Sequence, residues 1–148
     1  METTFTYSTG TASFVAFDEL ALTHRLHDEG WWSDFTDELI EVNNGNMMSV
    51  SLHTDGIYEV RVIDKPLDNP GAISCYIRCI SGALSLGPGE GVPSDGMGVA
   101  ELRACTLLNV PPGNYVVSLA QIGPNKLAVS ILPTDHEAIN AFEWPQEL

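Results

Sequence analysis

Apolar and polar residues alternate with a period of two along most of this chain, as they do in strands with one buried and one solvated face. The clearest run is residues 47–63, MMSVSLHTDGIYEVRVI. Met48, Val50 and Leu52 alternate with Ser49, Ser51 and His53. After Thr54-Asp55-Gly56, Tyr58, Val60 and Val62 alternate with Glu59 and Arg61. Read as a β-hairpin, a two-residue Asp-Gly turn would set Leu52 against Glu59 and Val50 against Arg61, mixing greasy and charged side chains on one face. A three-residue loop instead pairs Leu52 with Tyr58, Val50 with Val60 and Met48 with Val62, and leaves Ser51 with Glu59 and Ser49 with Arg61 on the wet face. The pattern therefore predicts a hairpin closed by Gly56 in a left-handed conformation, which glycine adopts without steric cost.

Other stretches read the same way. Strands are expected at residues 3–8, 13–17, 73–80 (with Ile73, Cys75, Ile77 and Cys79 in one apolar row), 83–86 and 99–110. A last pair, 115–122 and 127–132, is joined by Gly-Pro-Asn, which sets Leu119 opposite Val129 and Val117 opposite Ile131. Two segments break the alternation. In and just after residues 18–41, Trp32, Phe35, Leu39 and Val42 recur at helical spacing, with Ser33 as N-cap and Asp34 and Asp37 in the first turn. That predicts a short amphipathic helix over 34–41. Residues 87–98, with five glycines and two prolines, read as a mobile loop. Near the end, Thr134-x-x-Glu137 has capping-box form and suggests a second short helix stopped by Pro145. Short strands, Gly/Pro turns and alternation rather than solid apolar runs imply an all-β fold. It is a mainly antiparallel β-sandwich or partly closed barrel with one or two short helices, in a single domain spanning residues 1–148.

Charge narrows the function. Six Lys and Arg stand against twenty Asp and Glu, a formal charge of -14, while 44% of residues are hydrophobic, so disorder does not explain the acidity. Phosphate backbones and anionic membranes repel such a surface, whereas a basic protein is drawn to it. The first residues, METTFTYSTGTASF, have no signal-peptide pattern, and no apolar run reaches the roughly 20 residues of a membrane span. Cys75 and Cys79 lie roughly 13 Å apart along one strand, too far to bridge, and a Cys105 bridge to either stays open. Reduced cysteines and a cytoplasmic location are expected.

Candidate chemistry is sparse. His24-Arg25-Leu26-His27-Asp28 would put two imidazoles on one helical face beside a carboxylate, so His24, His27 and Asp28 form an alternative metal site, but without the H-E-x-x-H pattern. There is no G-x-S-x-G. The glycine-rich loop lacks G-K-[ST] and carries the acids Glu90 and Asp95, which a phosphate cradle does not tolerate. Pairs such as Asp34 and Asp37 arise by chance where eight acids share 24 residues. No catalytic set and no cofactor are expected. The stretch with adjacent tryptophans is better suited to binding: Trp31, Trp32, Asp34, Asp37, Glu38 and Glu41 would present aromatic anchors inside a carboxylate rim that selects Arg and Lys on a partner.

Three short motifs add a resemblance: WWSDF at residues 31–35, DG-x-Y-x-V at 55–60 and VPPGNY at 110–115. Together they resemble small acidic bacterial β-sandwich proteins that inhibit nucleases or serve as immunity partners of toxins, and the competence-associated nuclease inhibitor group most of all. The resemblance implies a non-catalytic inhibitor of a basic enzyme. It transfers no individual functional residue. Three readings follow: a protein-binding module for a basic nuclease or toxin, a metal-binding module or metal-dependent enzyme at His24 and His27, and a small-molecule-binding β-domain using the loop at 87–98.

Overall fold

A computed structural model of the chain describes residues 2–148. Its strands are β1 (Glu2–Thr9), β2 (Ser13–Phe17), β3 (Met47–Ser51), β4 (Gly56–Ile63), β5 (Ile73–Cys79), β6 (Ala83–Gly87), β7 (Thr106–Asn109), β8 (Gly113–Gly123), β9 (Lys126–Pro133) and β10 (Gln146–Glu147). Two helices, α1 (Phe35–Asn43) and α2 (Val99–Leu102), interrupt them. Among the described residues the strands form two five-stranded sheets, ordered β1-β4-β9-β8-β5 and β10-β3-β2-β6-β7. Pairing is antiparallel except for β4 with β9 and β10 with β3. The fold is thus an all-β sandwich with short helices, and its sheets do not close into a barrel.

The inward rows were readable from the alternation. Met48 and Val50 from one sheet, with Leu52 just beyond it, meet Tyr58, Val60 and Val62 from the other in a shared core with Cys75, Ile77, Cys79, Val117, Leu119, Val129 and Ile131. The hairpin itself is not formed. β3 pairs with β2 (Val50 opposite Phe14, Met48 opposite Ala16), and β4 pairs with β1 (Val60 opposite Phe5, Tyr58 opposite Tyr7). Residues 52–55 are a corner that carries the chain from one sheet to the other. A period of two fixes which face a strand buries but not which strand lies beside it, and an arch satisfies the same alternation as a hairpin. The chain does the same at residues 10–12, between β1 and β2, so two arches nest: Leu52 N donates to Ala12 O at 2.7 Å across them. Gly56 keeps a positive φ, +135°. The β8–β9 hairpin has the expected register, Leu119 opposite Val129 and Val117 opposite Ile131.

Three local expectations change. The second helix does not form after Thr134; its hydroxyl accepts from His136 N at 3.1 Å, and Ala138 is buried in an irregular strap. A helix forms instead at α2, inside the stretch read as strand. The loop at 87–98 is packed down: Val92 is buried in a cluster, Gly10 N donates to Glu90 at 2.7 Å, and Pro93 O accepts a tryptophan N–H. The cysteines are free, with Cys75 and Cys79 buried. No helix among the described residues is long and apolar enough to cross a membrane.

Candidate functional site

β2 is buried along its whole length because both of its faces are covered. Phe14 and Ala16 point into the sandwich, while Val15 and Phe17 join Met47 on the outer side of the sheet. The acidic segment lies over that outer side and contributes Leu22, Trp31 and Val42, with Val92 from the glycine-rich loop. Two carboxylates are buried at this layer. Asp18 caps the 3-10 turn Glu19–Arg25 by accepting from Leu20 N, and also accepts from Ile80 N (2.5 Å), Ser81 N (2.7 Å) and the Ser81 hydroxyl (2.9 Å). Burial alone would raise its pKa, but these donors overcome burial and hold it below the usual range. Glu41, 2% exposed, accepts from Arg25 Nε (2.8 Å) and Asn46 Nδ2 (2.8 Å), with His24 Nε2 at 2.9 Å. Here too burial pushes upward and the donors win, leaving the carboxyl below its ordinary value.

The six side chains expected to form one partner surface are divided by this layer. Trp31 is 3% exposed, its Nε1 donates to Pro93 O at 2.7 Å, and the Arg25 guanidinium stands 5.2 Å over its ring. Trp31 and Glu41 are therefore internal supports with no surface to offer. Trp32 is half-buried and reaches Ser49 Oγ at 3.4 Å. Asp34 is exposed and is itself the N-cap of α1, accepting from Thr36 N and Asp37 N; Ser33, expected in that role, donates to Gly30 O instead. Asp37 is half-exposed and 3.5 Å from Arg25. Glu38 is half-buried, and desolvation raises its pKa despite a hydrogen bond with Ser49.

The orientation of α1 departs from the expected stripe. Glu38, Glu41 and Val42 turn inward, while Phe35, Leu39 and Ile40 turn toward solvent with Thr36, Asn43 and Asn44, lining a groove of about 320 Å³. Phe35 is 54% and Ile40 45% exposed. The helical spacing assigns Phe35 to the inward stripe with Val42 and leaves Ile40 out; Val42 is buried, but Phe35 shares the outer side with Leu39 and Ile40.

The other chemistries find little here. His24 is engaged with Glu41, and Asp28 pairs with Arg25 at 3.2 Å, so the trio His24, His27 and Asp28 does not assemble. Among the described residues, no three His, Cys, Asp or Glu side chains are placed to hold a metal ion. Burial pushes the Cys75 and Cys105 thiols up to about 12, so neither is poised as a nucleophile. In the glycine-rich loop, Glu90 is occupied by Gly10 N and by the Thr9 and Thr11 hydroxyls.

Two solved structures share this fold. One is ComJ from Bacillus subtilis, inhibitor of the DNA-degrading activity of NucA, at TM-score 0.53 and 10% identity, covering 89% of this chain and 96% of that one. The other is the protein of crocagin biosynthetic gene J, at TM-score 0.52 and 17% identity, covering 89% and 95%. The resemblance to ComJ-like proteins is therefore one of fold. No curated protein matches the sequence. The sequence itself matches, over residues 1–145, the model of a family of unknown function, DUF6386, and the chain belongs to that family.

Proposed function

We propose that this protein is a non-catalytic, acidic protein-binding module that inhibits, or confers immunity to, a basic partner such as a nuclease or toxin. The observation that carries this reading is the state of its ionisable groups. The buried carboxylates Asp18 and Glu41 are satisfied within the fold, and most of the remaining acids lie outward, with six Lys and Arg in the chain against twenty Asp and Glu. Such a surface speeds and selects encounters with a cationic protein. That ComJ inhibits a nuclease on the same fold supports the inhibitor form of the reading. Within the expected surface, Trp32, Asp34 and Asp37 carry the contact, and Trp31, Glu41 and the inward-turned Glu38 hold them in place.

The test is titration of the protein into DNA-degradation assays of basic nucleases, beginning with any encoded beside it. Inhibition is expected, and it should weaken steeply with added salt. Replacing Asp34 and Asp37 by Asn should slow association about tenfold at low salt. Inhibition and complex formation absent across that set, at micromolar protein, would count against the reading.

A further inference from the structure

α1 buries Glu41 and exposes Phe35 and Ile40. Glu41 is tied to Arg25, His24 and Asn46 on the inner side. At the C-terminal end, Asn43 clamps the strap in both directions: its Nδ2 donates to Phe142 O at 3.0 Å and its Oδ1 accepts from Phe142 N at 2.9 Å. Asn140 Nδ2 adds a bond to Val42 O at 2.8 Å. Rotating the helix to bury Phe35 and Ile40 would break all of these, so their exposure is fixed by the fold.

The groove beside Phe35, Leu39 and Ile40 is lined by no charged side chain. Its N-terminal flank is acidic. Asp34, exposed at the N-cap, and half-exposed Asp37, three residues before Ile40, stand beside the apolar face, while Glu38 turns inward to Ser49. Arg25, the basic residue of this segment, is neutralised by Glu41, Asp37 and Asp28 and adds no positive field. At the far end of the groove the Arg78 guanidinium donates to Asn44 O, so the carboxylate rim, and the basic contacts it can take, are confined to the Asp34 and Asp37 end; an apolar centre beside such a rim is the anatomy of a binding hot spot. A second copy of the chain would bring its own charge of -14 against this rim, which disfavours self-association.

We infer that the outward face of α1, centred on Phe35, Leu39 and Ile40, is the docking site for a basic protein that inserts an apolar side chain into the groove and places Lys or Arg beside Asp34 and Asp37. This deepens the protein-binding reading and rests on it.

The test uses the full chain, tagged and expressed in its own cell. The retained protein is identified by mass spectrometry and purified, and its affinity is measured for wild type, Phe35→Ala with Ile40→Ala, Asp34→Asn with Asp37→Asn, and the distant surface control Leu107→Ala. Alanine favours helix and Asn still caps, so melting temperatures should hold. The identified protein should be basic, and the Phe35/Ile40 variant should bind it on the order of 30-fold more weakly, with Leu107→Ala unchanged. Wild-type affinity in the Phe35/Ile40 variant overturns the inference and leaves the broader reading standing. A wild-type dimer on sedimentation that this variant disperses overturns it in favour of a second copy. No retained protein at all removes the binding-module reading, and this inference with it.

Discussion

Between the two sheets, the side chains that meet are Phe14, Ile77, Leu84, Leu119 and Val129, all essentially inaccessible to solvent. Beneath α1, the outer row of the second sheet meets Trp31 and Val42, but the helix is held there by Glu41, Arg25, His24 and Asn46. The first layer is fixed by shape and hydrocarbon, the second by a set of donors assembled around a buried carboxylate. Hydrocarbon packing is indifferent to pH and fails in proportion to the volume removed. A buried ionic set fails when one member is lost, because the others are left desolvated without partners. The two layers should therefore respond differently to the same kinds of perturbation.

The largest effect is expected in the sandwich. Ile77→Ala should cost about 4 kcal/mol in urea unfolding, and near- and far-UV signals should lose structure together. Separate transitions would show that the layers are less coupled than a shared β2 implies. Next, Glu41→Ala should cost about 3 kcal/mol. Its signature is accelerated hydrogen exchange in α1, with the β8–β9 amides still protected. A cost no larger than that of an ordinary surface change would erase the distinction between the layers.

Acid sharpens the same test. Glu41 and Asp18 titrate lower in the fold than their ordinary values of 4.5 and 3.8. Their stabilisation is complete above those values and fades as pH falls through the lower folded ones. Wild type should lose α1 protection on acidification, and Glu41→Ala should have less to lose. The smallest effect is of opposite sign. Burial raises Glu38, so its ionised form is disfavoured in the fold. That cost grows as pH rises past the ordinary value of 4.5 and levels off above the folded one. Glu38→Gln should therefore stabilise at neutral pH, by up to about 0.5 kcal/mol, and not at pH 3.

What the sequence disclosed follows the same division. Strand faces were legible because alternation is a local code: Cys75, Ile77 and Cys79 are buried as read, and the β8–β9 pairing is as expected beyond a bulge between Gln121 and Gly123, which offsets a turn one residue tighter than Gly-Pro-Asn. Strand neighbours were not legible for β3 and β4, since a corner and a hairpin share one pattern. The inward face of α1 was misread because its determinant is non-local. Glu41 is buried by virtue of Arg25, sixteen residues earlier, and Asn46, in the turn that follows. Trp31 and Trp32 are both expected as surface anchors, and the structure buries Trp31. Which one sank depended on the carbonyl of Pro93, in a loop whose glycines suggested freedom rather than contact.

The parallel pairing of β4 with β9 joins Val60 to Leu127 and Val62 to Val129. During synthesis, the ribosome must release most of the chain before β4 finds its second neighbour. Until then its row of unpaired amides and carbonyls stays open to other nascent chains. Pairings this distant in sequence also raise the contact order, so slow folding for a chain of this size is expected. Production at lower temperature and slower translation should therefore raise the soluble yield more than any change to the finished surface.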